Sequence, residues 1–585
     1  MTIRLITLVA ALIMSNIGTL AQEAIMQEAG AVTIAPSGAE DDTPTVLAAL
    51  EKCRAEKARR LVFTPGAYNF HAGRNPANAT IAFILQDMHD LTIDGQGSLL
   101  NFHGLTGCFL FVNCSNITVQ GFIIDYPKPA QSVGTVIASE GKQFDVDVLP
   151  EFPVVGGEPV EAFMDFDPET RLPRRRGVDV YYGVDSTELI APQLLRVHTK
   201  SPCNVPVGVL VALRHKVYGP SGFVMSRCSD MRLQDITIYY VPGMGAIGSV
   251  SRNITLERFN VLLKPGTDRL VSASADATHF GGCKGTVRIQ DCVFEGMGDD
   301  AVNIKSGLYL SVRKIEDERT ILGQHNLKMV DAPDPGDTME LCHVDNLVPY
   351  ATATVETVAV LPGGENTHRV VLRDPLPEGL REGDVLGNAS RAPAIRISNC
   401  EIRRNRARGF LIQSRDAVIE NCRFKDITGG GIWVMTEVVH FFESIGTRDI
   451  TVRNCTFDNC NYGAALGDGV LSAFAWLKDF RFPPEPGVHR NILFEGNTIR
   501  GADNAGIFVA GVDGITIRNN TIEGACNSPT REQARGAISI LSSRNVTLEG
   551  NIALPEKQGA GCTAALSLAP DVETETVKIE GNTGF

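Results

Sequence analysis

Three aspartates, Asp276, Asp299 and Asp300, stand in two similar phrases, Ser274-Ala-Asp-Ala-Thr-His-Phe280 and Gly298-Asp-Asp-Ala-Val-Asn-Ile304. Matching Asp276-Ala277 to Asp300-Ala301 gives a separation of 24 residues. Carboxylates held together repel, so a fold that keeps three side by side gives up stability unless they are used or compensated. Two chemistries use such a group. One is glycosidic cleavage, in which a carboxylic acid protonates the leaving oxygen and a carboxylate activates water on the opposite face. The other is Ca²⁺ binding, which takes roughly six to eight oxygens and so more than this trio supplies. Asp299 and Asp300 can also be read as turn residues after Gly298, since Asp favours turns; the aligned Asp276 speaks against that.

A separation of 24 matters only if the chain repeats at that length, and it does. Strand-like segments ending in a turn residue recur twelve times, among them Leu91-Thr-Ile-Asp-Gly-Gln96, Ile117-Thr-Val-Gln-Gly-Phe122, Ile395-Arg-Ile-Ser-Asn-Cys400, Ile450-Thr-Val-Arg-Asn-Cys455 and Ile515-Thr-Ile-Arg-Asn-Asn520. Their last positions step by 23 (236 to 259), 22 (400 to 422) and 23 (497 to 520), with longer steps that leave room for loops. A coil of about 22 residues cannot bury its apolar face unless neighbours stack on it, which calls for a solenoid. The leucine-rich consensus is absent, so the expectation is an all-β chain, a right-handed parallel β-helix of the pectin-lyase-like kind. Residues one coil apart lie about 4.8 Å from each other across the ladder, which makes Asp276 and Asp300 stacked neighbours. Cys292, Cys400, Cys422 and Cys455 share one repeat position that Asn497, Asn520, Asn551 and Asn582 continue, and so predict internal ladders. The N-x-[ST] matches at Asn116, Asn253 and Asn545 are read as turns of the repeat rather than glycosylation sites.

Two stretches interrupt the repeat and read as inserted antiparallel β subdomains. The expected organisation is a signal peptide at 1–21, N-terminal coils at 22–128, an insert at 129–222, central coils with the aspartates at 223–306, a second insert at 307–392 and C-terminal coils at 393–585. Arg4, the apolar run Leu5 to Met14 and small residues before Gln22 form the export signal. No stretch approaches the roughly 20 apolar residues of a membrane span, so a soluble, secreted or periplasmic protein is expected. A formal charge of −14 disfavours nucleic acid. The one basic cluster, Arg171 with Arg174-Arg175-Arg176, is read as a solvated loop. The fourteen cysteines show no CxxC and are expected to be mostly buried thiols. Serine-hydrolase, phosphate-loop and zinc motifs are missing.

Asp94-Gly-Gln-Gly97, the coil repeat and a lone Asp one coil before Gly-Asp-Asp look like the polygalacturonase-type β-helix hydrolases. The Gly-His-Gly and Arg-Ile-Lys signatures of that group are missing, and Asp276 follows Ser-Ala rather than Asn-Thr. More closely, Ser274-Ala-Asp-Ala-Thr-His-Phe280 with Gly298-Asp-Asp-Ala-Val-Asn-Ile-Lys305, on a coil repeat with two inserts, resembles glycoside hydrolase family 110 over nearly the whole mature chain. That resemblance implies an exo-acting, inverting α-1,3-galactosidase for blood group B-type glycans, with neither metal nor cofactor. It implies Asp299 as general acid and Asp276 with Asp300 as the pair polarising water. Its partners would be galactose-terminated oligosaccharides or glycoprotein glycans, and pairing into a homodimer stays open.

Matching Ser306 to Ser414 stacks Arg408 over Asp300 and Gln413 over Lys305, and the following coil brings Trp433 and Glu437. The expected substrate-binding residues are therefore His279, Lys305, Arg408, Trp433 and Glu437, with His440 nearby. For Arg408 the choice lies between tuning an aspartate or binding a hydroxyl and a surface ion pair; for Trp433, between stacking on the sugar and packing. Two other functions compete: a pectinase or lyase on the same solenoid, and a non-catalytic carbohydrate-binding surface protein.

Overall fold

Alternating apolar and polar residues put one side of each repeat segment inward. The structure, a computed structural model, describes residues 25–28, 30–73, 80–327, 332–361, 366–463 and 468–585. The export signal expected at 1–21 lies outside them. The chain divides into two compact units. One holds the residues up to Met164, Asp179–Ile247 and Ile254–Ala275; the other holds Asp165–Val178, Gly248–Asn253 and Asp276–Phe585. Both contain parallel β-helix coils, the expected class.

In the first unit, Arg60–Phe63, His89–His103, Ser115–Asp125 and Ser229–Ile238 pair in parallel along one face, and Ile81–Gln86, Gly107–Val112 and Phe223–Ser226 along another. Phe109 and Phe223 stack inside with ring centroids 5.0 Å apart. A sheet of seven strands, hairpin-paired from Gln131–Glu140 to Leu210–Arg214, interrupts these coils between Ser115–Asp125 and Phe223–Ser226. One element escaped the all-β reading. Thr43–Glu56 is an α-helix with proline in its first turn, and its buried Val46, Ala49, Leu50 and Cys53 follow helical spacing.

The second unit carries the aspartates. Lys284–Gln290, Ala394–Ser398, Arg415–Glu420, Arg448–Arg453, His489–Glu495, Val512–Arg518, Arg544–Glu549 and Val577–Glu580 stack in parallel on one face. A second face stacks Thr278–Gly281, Val302–Lys305, Phe410–Gln413, Ile432–Glu437, Gly469–Trp476, Ala505–Ala510, Gly536–Leu541 and Ala564–Leu568. Between Leu310–Ile315 and Val385–Asn388 the chain forms a closed six-stranded barrel around Leu310, Val312, Ile321, Leu341, Val355 and Val370.

One turn explains much of the repeat. Asn399, Asn421, Asn454 and Asn519 have φ of 55–57°, and glycine takes the equivalent place at 496, 550 and 581. Few side chains other than Asn and Asp tolerate that left-handed conformation, which is why the position reads Asn, Asp or Gly with Arg258, at φ 48°, as an exception. Asn116, Asn253 and Asn545 likewise sit at φ of 53–55°. The next residue turns inward as cysteine or asparagine. All fourteen cysteines are thiols and twelve are buried. The asparagines form a ladder: the side-chain amides of Asn497, Asn520 and Asn551 donate to the Oδ1 of the next coil's asparagine at 3.0, 3.0 and 2.8 Å.

The ladder's energetic role is testable at its middle and end. Asn520→Ala strips partners from buried groups on both neighbouring coils and is expected to cost about 3 kcal/mol, whereas Asn582→Ala, at the partly exposed terminal coil, costs under about 1 kcal/mol. Urea unfolding followed by circular dichroism measures both, and equal losses would refute the ladder argument.

Candidate active site

Strand Thr278–Gly281 pairs with Val302–Lys305 so that Thr278 faces Val302 and His279 faces Asn303. Extended by two residues, this register stacks Asp276 on Asp300, and Ala277 N–H donates to the Asp300 carbonyl at 2.9 Å. Gly298 to Ala301 lie outside regular strand, in bends ahead of Val302. That bend lets adjacent Asp299 and Asp300 reach the same place. Carboxylate oxygens of Asp276, Asp299 and Asp300 all come within 4.8 Å of one another.

The next coil meets this negative charge with two guanidinium groups. Arg408 donates to both oxygens of Asp300, through Nε at 2.7 Å and Nη2 at 2.9 Å. Arg406 Nη1 reaches Asp299 Oδ1 at 3.1 Å. Asn405 donates to the backbone carbonyls of Asp299 and Arg408 at 3.0 and 2.8 Å, which fixes the bend. Oxygen ligands for a Ca²⁺ ion would first have to be freed from these arginines.

Exposure grades the three acids: the Asp299 side chain is 13% exposed, Asp276 5% and Asp300 2%. Burial, and then the charge of Asp299, push Asp276 well above the usual carboxylate range. Burial also raises Asp300, to about 7, against the pull of Arg408. His279 Nδ1 lies 2.7 Å from Asp276 Oδ2, and burial, with Lys305 behind it, lowers the imidazole to about 4. The histidine is thus neutral at pH 7, and the contact is a hydrogen bond rather than an ion pair. Lys305 Nζ donates to Glu443, which also accepts from Gln413 Nε2 at 3.1 Å. Burial raises Glu443, but Lys305 and His279 outweigh it and bring the group down to about 2.

His279, Lys305 and Arg408 thus gather around the aspartates. Trp433 and Glu437, expected to touch sugar, are placed otherwise. The Trp433 indole is fully buried, donates from Nε1 to the Gly469 carbonyl at 3.2 Å, and packs with Phe474 and Trp476. Its ring is within 5.6 Å of the Arg408 guanidinium. Glu437 accepts from the backbone N–H groups of Val439, His440, Phe441 and Glu443, so its carboxylate fastens a loop. His440 packs against Phe480.

The basic cluster stays partly solvated, with Arg175 and Arg176 exposed, but it is also anchored. Arg174 pairs with buried Asp165, Arg175 with buried Asp503 and over the Tyr462 ring, and Arg176 with Ser528. Arg404 donates to the carbonyls of Thr170 and Arg171. The segment Asp165–Val178 is therefore docked two residues along the chain from Arg406. Arg406, Asn405 and Glu443 were missed. The first two were within reach of the coil matching that found Arg408; Glu443 lies on a short strand, Glu443–Ser444, paired antiparallel with Gly307–Leu308 and outside the repeat register.

Residues 385–474 match the family model described as a right handed beta helix region. Along nearly its full length the chain is similar to curated enzymes named alpha-1,3-galactosidase. With alpha-1,3-galactosidase B of Phocaeicola vulgatus it shares 26% identity over 572 residues, 88% of this chain and 93% of the relative. With alpha-1,3-galactosidase A of Shewanella woodyi it shares 26%, over 93% of each chain. Among solved structures, the Agl-KA catalytic domain aligns with 95% of this chain and 69% of its own, at 11% identity and a TM-score of 0.45. No helix among the described residues is long and apolar enough to cross a membrane.

The raised proton affinity of Asp276 makes a stability prediction. A carboxyl with a folded-state pKa above its unfolded value binds more protons when folded, so its contribution worsens as pH rises from about 4 through the folded pKa. Asp276→Asn keeps an acceptor for His279 and removes that penalty. The variant should be more stable than the parent by about 1–2 kcal/mol at pH 8, the gap closing near pH 4. Chemical denaturation at both pH values measures it; a less stable variant at pH 8 would contradict the assignment of strain to this carboxyl.

Proposed function

We propose that the chain is an exo-acting glycoside hydrolase that releases terminal α-1,3-linked galactose from oligosaccharides or glycoprotein glycans, including blood group B-type determinants. The observation that carries this reading is the convergence of three carboxylates, with unequal exposure, on one edge of the second face. The near full-length similarity to enzymes named alpha-1,3-galactosidase supplies the sugar.

Asp299, the most exposed of the trio, donates the proton to the leaving oxygen. Asp276 and Asp300 take a proton from water. Their high proton affinities make them stronger bases near neutrality than ordinary aspartates, Asp300 at about 7. Arg408 aims the Asp300 carboxylate, and His279 aims Asp276. His279, Lys305 and Arg408 offer polar contacts to the sugar, while Trp433 supports Arg408 and Glu437 holds the neighbouring loop. Inversion rests on the resemblance to glycoside hydrolase family 110. The short carboxylate separation alone would suit a retaining pair, since inverting pairs usually stand roughly 6.5–9.5 Å apart. The chain carries an N-terminal export signal and acts outside the cytoplasm, on glycans rather than nucleic acid.

Two measurements test this together. NMR of blood group B trisaccharide hydrolysis is expected to show β-galactose first; α-galactose first would replace inversion with retention, and no galactose at all would end the proposal. Asp299→Asn should lose about 10²–10⁴-fold on an alkyl α-galactoside yet far less on 2,4-dinitrophenyl α-galactoside, whose leaving group needs no acid. Asp276→Asn and Asp300→Asn should lose activity on both. Reversed patterns would exchange the roles.

A further inference from the structure

Asn303 has a polar atom that the protein itself leaves unsatisfied. The residue is 4% exposed, and its Oδ1 is buried with no hydrogen-bond partner. Val302 and Ile304 are fully buried in the core, so Asn303 and Lys305 point to the opposite face of their strand. Asn303 faces His279 on one side and Leu411 on the other. Asn303 therefore lies on the same side of its strand as Lys305 and beside His279, the residue that bonds Asp276.

A second such atom lies one coil on. Gln413 faces Lys305, donates from Nε2 to Glu443, and its Oε1 is buried without a partner. Two unpaired acceptors therefore flank one lysine. Each costs free energy unless a donor reaches it, and native proteins keep few such groups without a use for them. The chemistry that satisfies them is a neutral donor. An anion has no proton to give a carbonyl oxygen and would meet Asp276 and Glu443; a cation would meet Lys305 and Arg408. A hydroxyl fits.

Resting on the glycosidase reading above, we infer that Asn303, with Gln413 beside it, accepts hydrogen bonds from hydroxyls of the terminal sugar and so decides which monosaccharide the site takes. A site built to bond a hydroxyl leaves its own buried group unpaired when an analogue lacks that hydroxyl, which makes deoxy sugars the natural probe.

The experiment uses the full chain with an aryl α-galactoside and its 2-, 4- and 6-deoxy analogues. The parent protein is expected to lose about 10–100-fold in kcat/KM for the analogue that lacks the bonded hydroxyl. Asn303→Leu should lose a similar factor on the complete sugar and hardly more on that one analogue, so that discrimination at that single position collapses to within about 3-fold. Its Tm should not fall, because the near-isosteric replacement removes an unsatisfied acceptor from a buried place. Gln413→Leu tests the second acceptor by the same deoxy-sugar comparison at a different hydroxyl; its Tm is expected to fall, because the substitution also removes the bond to Glu443. A uniform loss across all analogues, or a fall in Tm, for Asn303→Leu would overturn the inference and make Asn303 a structural residue. If the parent protein turns over no aryl α-galactoside, the galactosidase reading fails separately. Asn303 is then judged by saturation-transfer NMR with galactose and the deoxygalactoses, where unaltered contacts in Asn303→Leu, or no binding to the parent, would overturn it.

Discussion

The parallel register between Thr278–Gly281 and Val302–Lys305 is the constraint on which the site depends. It is enforced by burial rather than by the polar groups it aligns. Val302 and Ile304 are in the core, and a slip of one residue would turn them outward while drawing Asn303 and Lys305 in. Neighbouring coils repeat the same demand, so slipping one coil means slipping the stack. The repulsion among three carboxylates is small beside that collective cost. Apolar packing and the asparagine and cysteine ladders thus hold Asp276 against Asp300 in an arrangement the two acids would not adopt alone.

The same constraint explains how residues distant in sequence join the site. After Lys305 the chain leaves for the six-stranded barrel and returns in time for Phe410–Gln413 to pair with Val302–Lys305. An excursion whose two ends lie one ladder step apart leaves the register intact, because the cost of closing a loop grows slowly with its length. Arg408 therefore arrives over Asp300 as though no insertion existed. With Arg406 it turns a repelling trio into an interleaved set of charges. Lys305 and Glu443 add a second, buried ion pair behind His279.

What could be read in the sequence follows from this division. Everything carried by the coil period was legible: the β-helix, the inward cysteine and asparagine ladders, Asp276 stacked on Asp300, Arg408 over Asp300 and Gln413 beside Lys305. What depends on segments outside the period was not. Glu443 approaches Lys305 from a short strand outside the coil repeat, and the arginines of Asp165–Val178 meet Asp503 and Ser528 far along the chain. For Trp433 the sequence left stacking and packing open, because nothing in its own coil told that other segments cover its face. Thr43–Glu56 was hidden because one helix leaves little mark on a chain dominated by strand repeats.

That cover bears on the length of substrate the site suits. An enzyme that binds a polymer along a β-helix needs an open outer face over many coils. Here the row of His279 and Asn303 continues as Leu411, Trp433 and Ser472, while Lys305 faces Gln413, and Met435 faces Phe474 in the coils beyond. Trp433, Met435 and Phe474 pack with Trp476 and Phe508 into an apolar cluster flanked by Phe480 and Phe482. The face is therefore filled by the protein's own side chains one coil beyond Gln413, and on that side a sugar chain has no floor to follow. A strip of hydrogen-bonding groups closed by an apolar wall is the shape that the proposed release of a single terminal sugar calls for. Glu437 fastens the loop beside that wall by accepting from the backbone N–H groups of Val439, His440, Phe441 and Glu443.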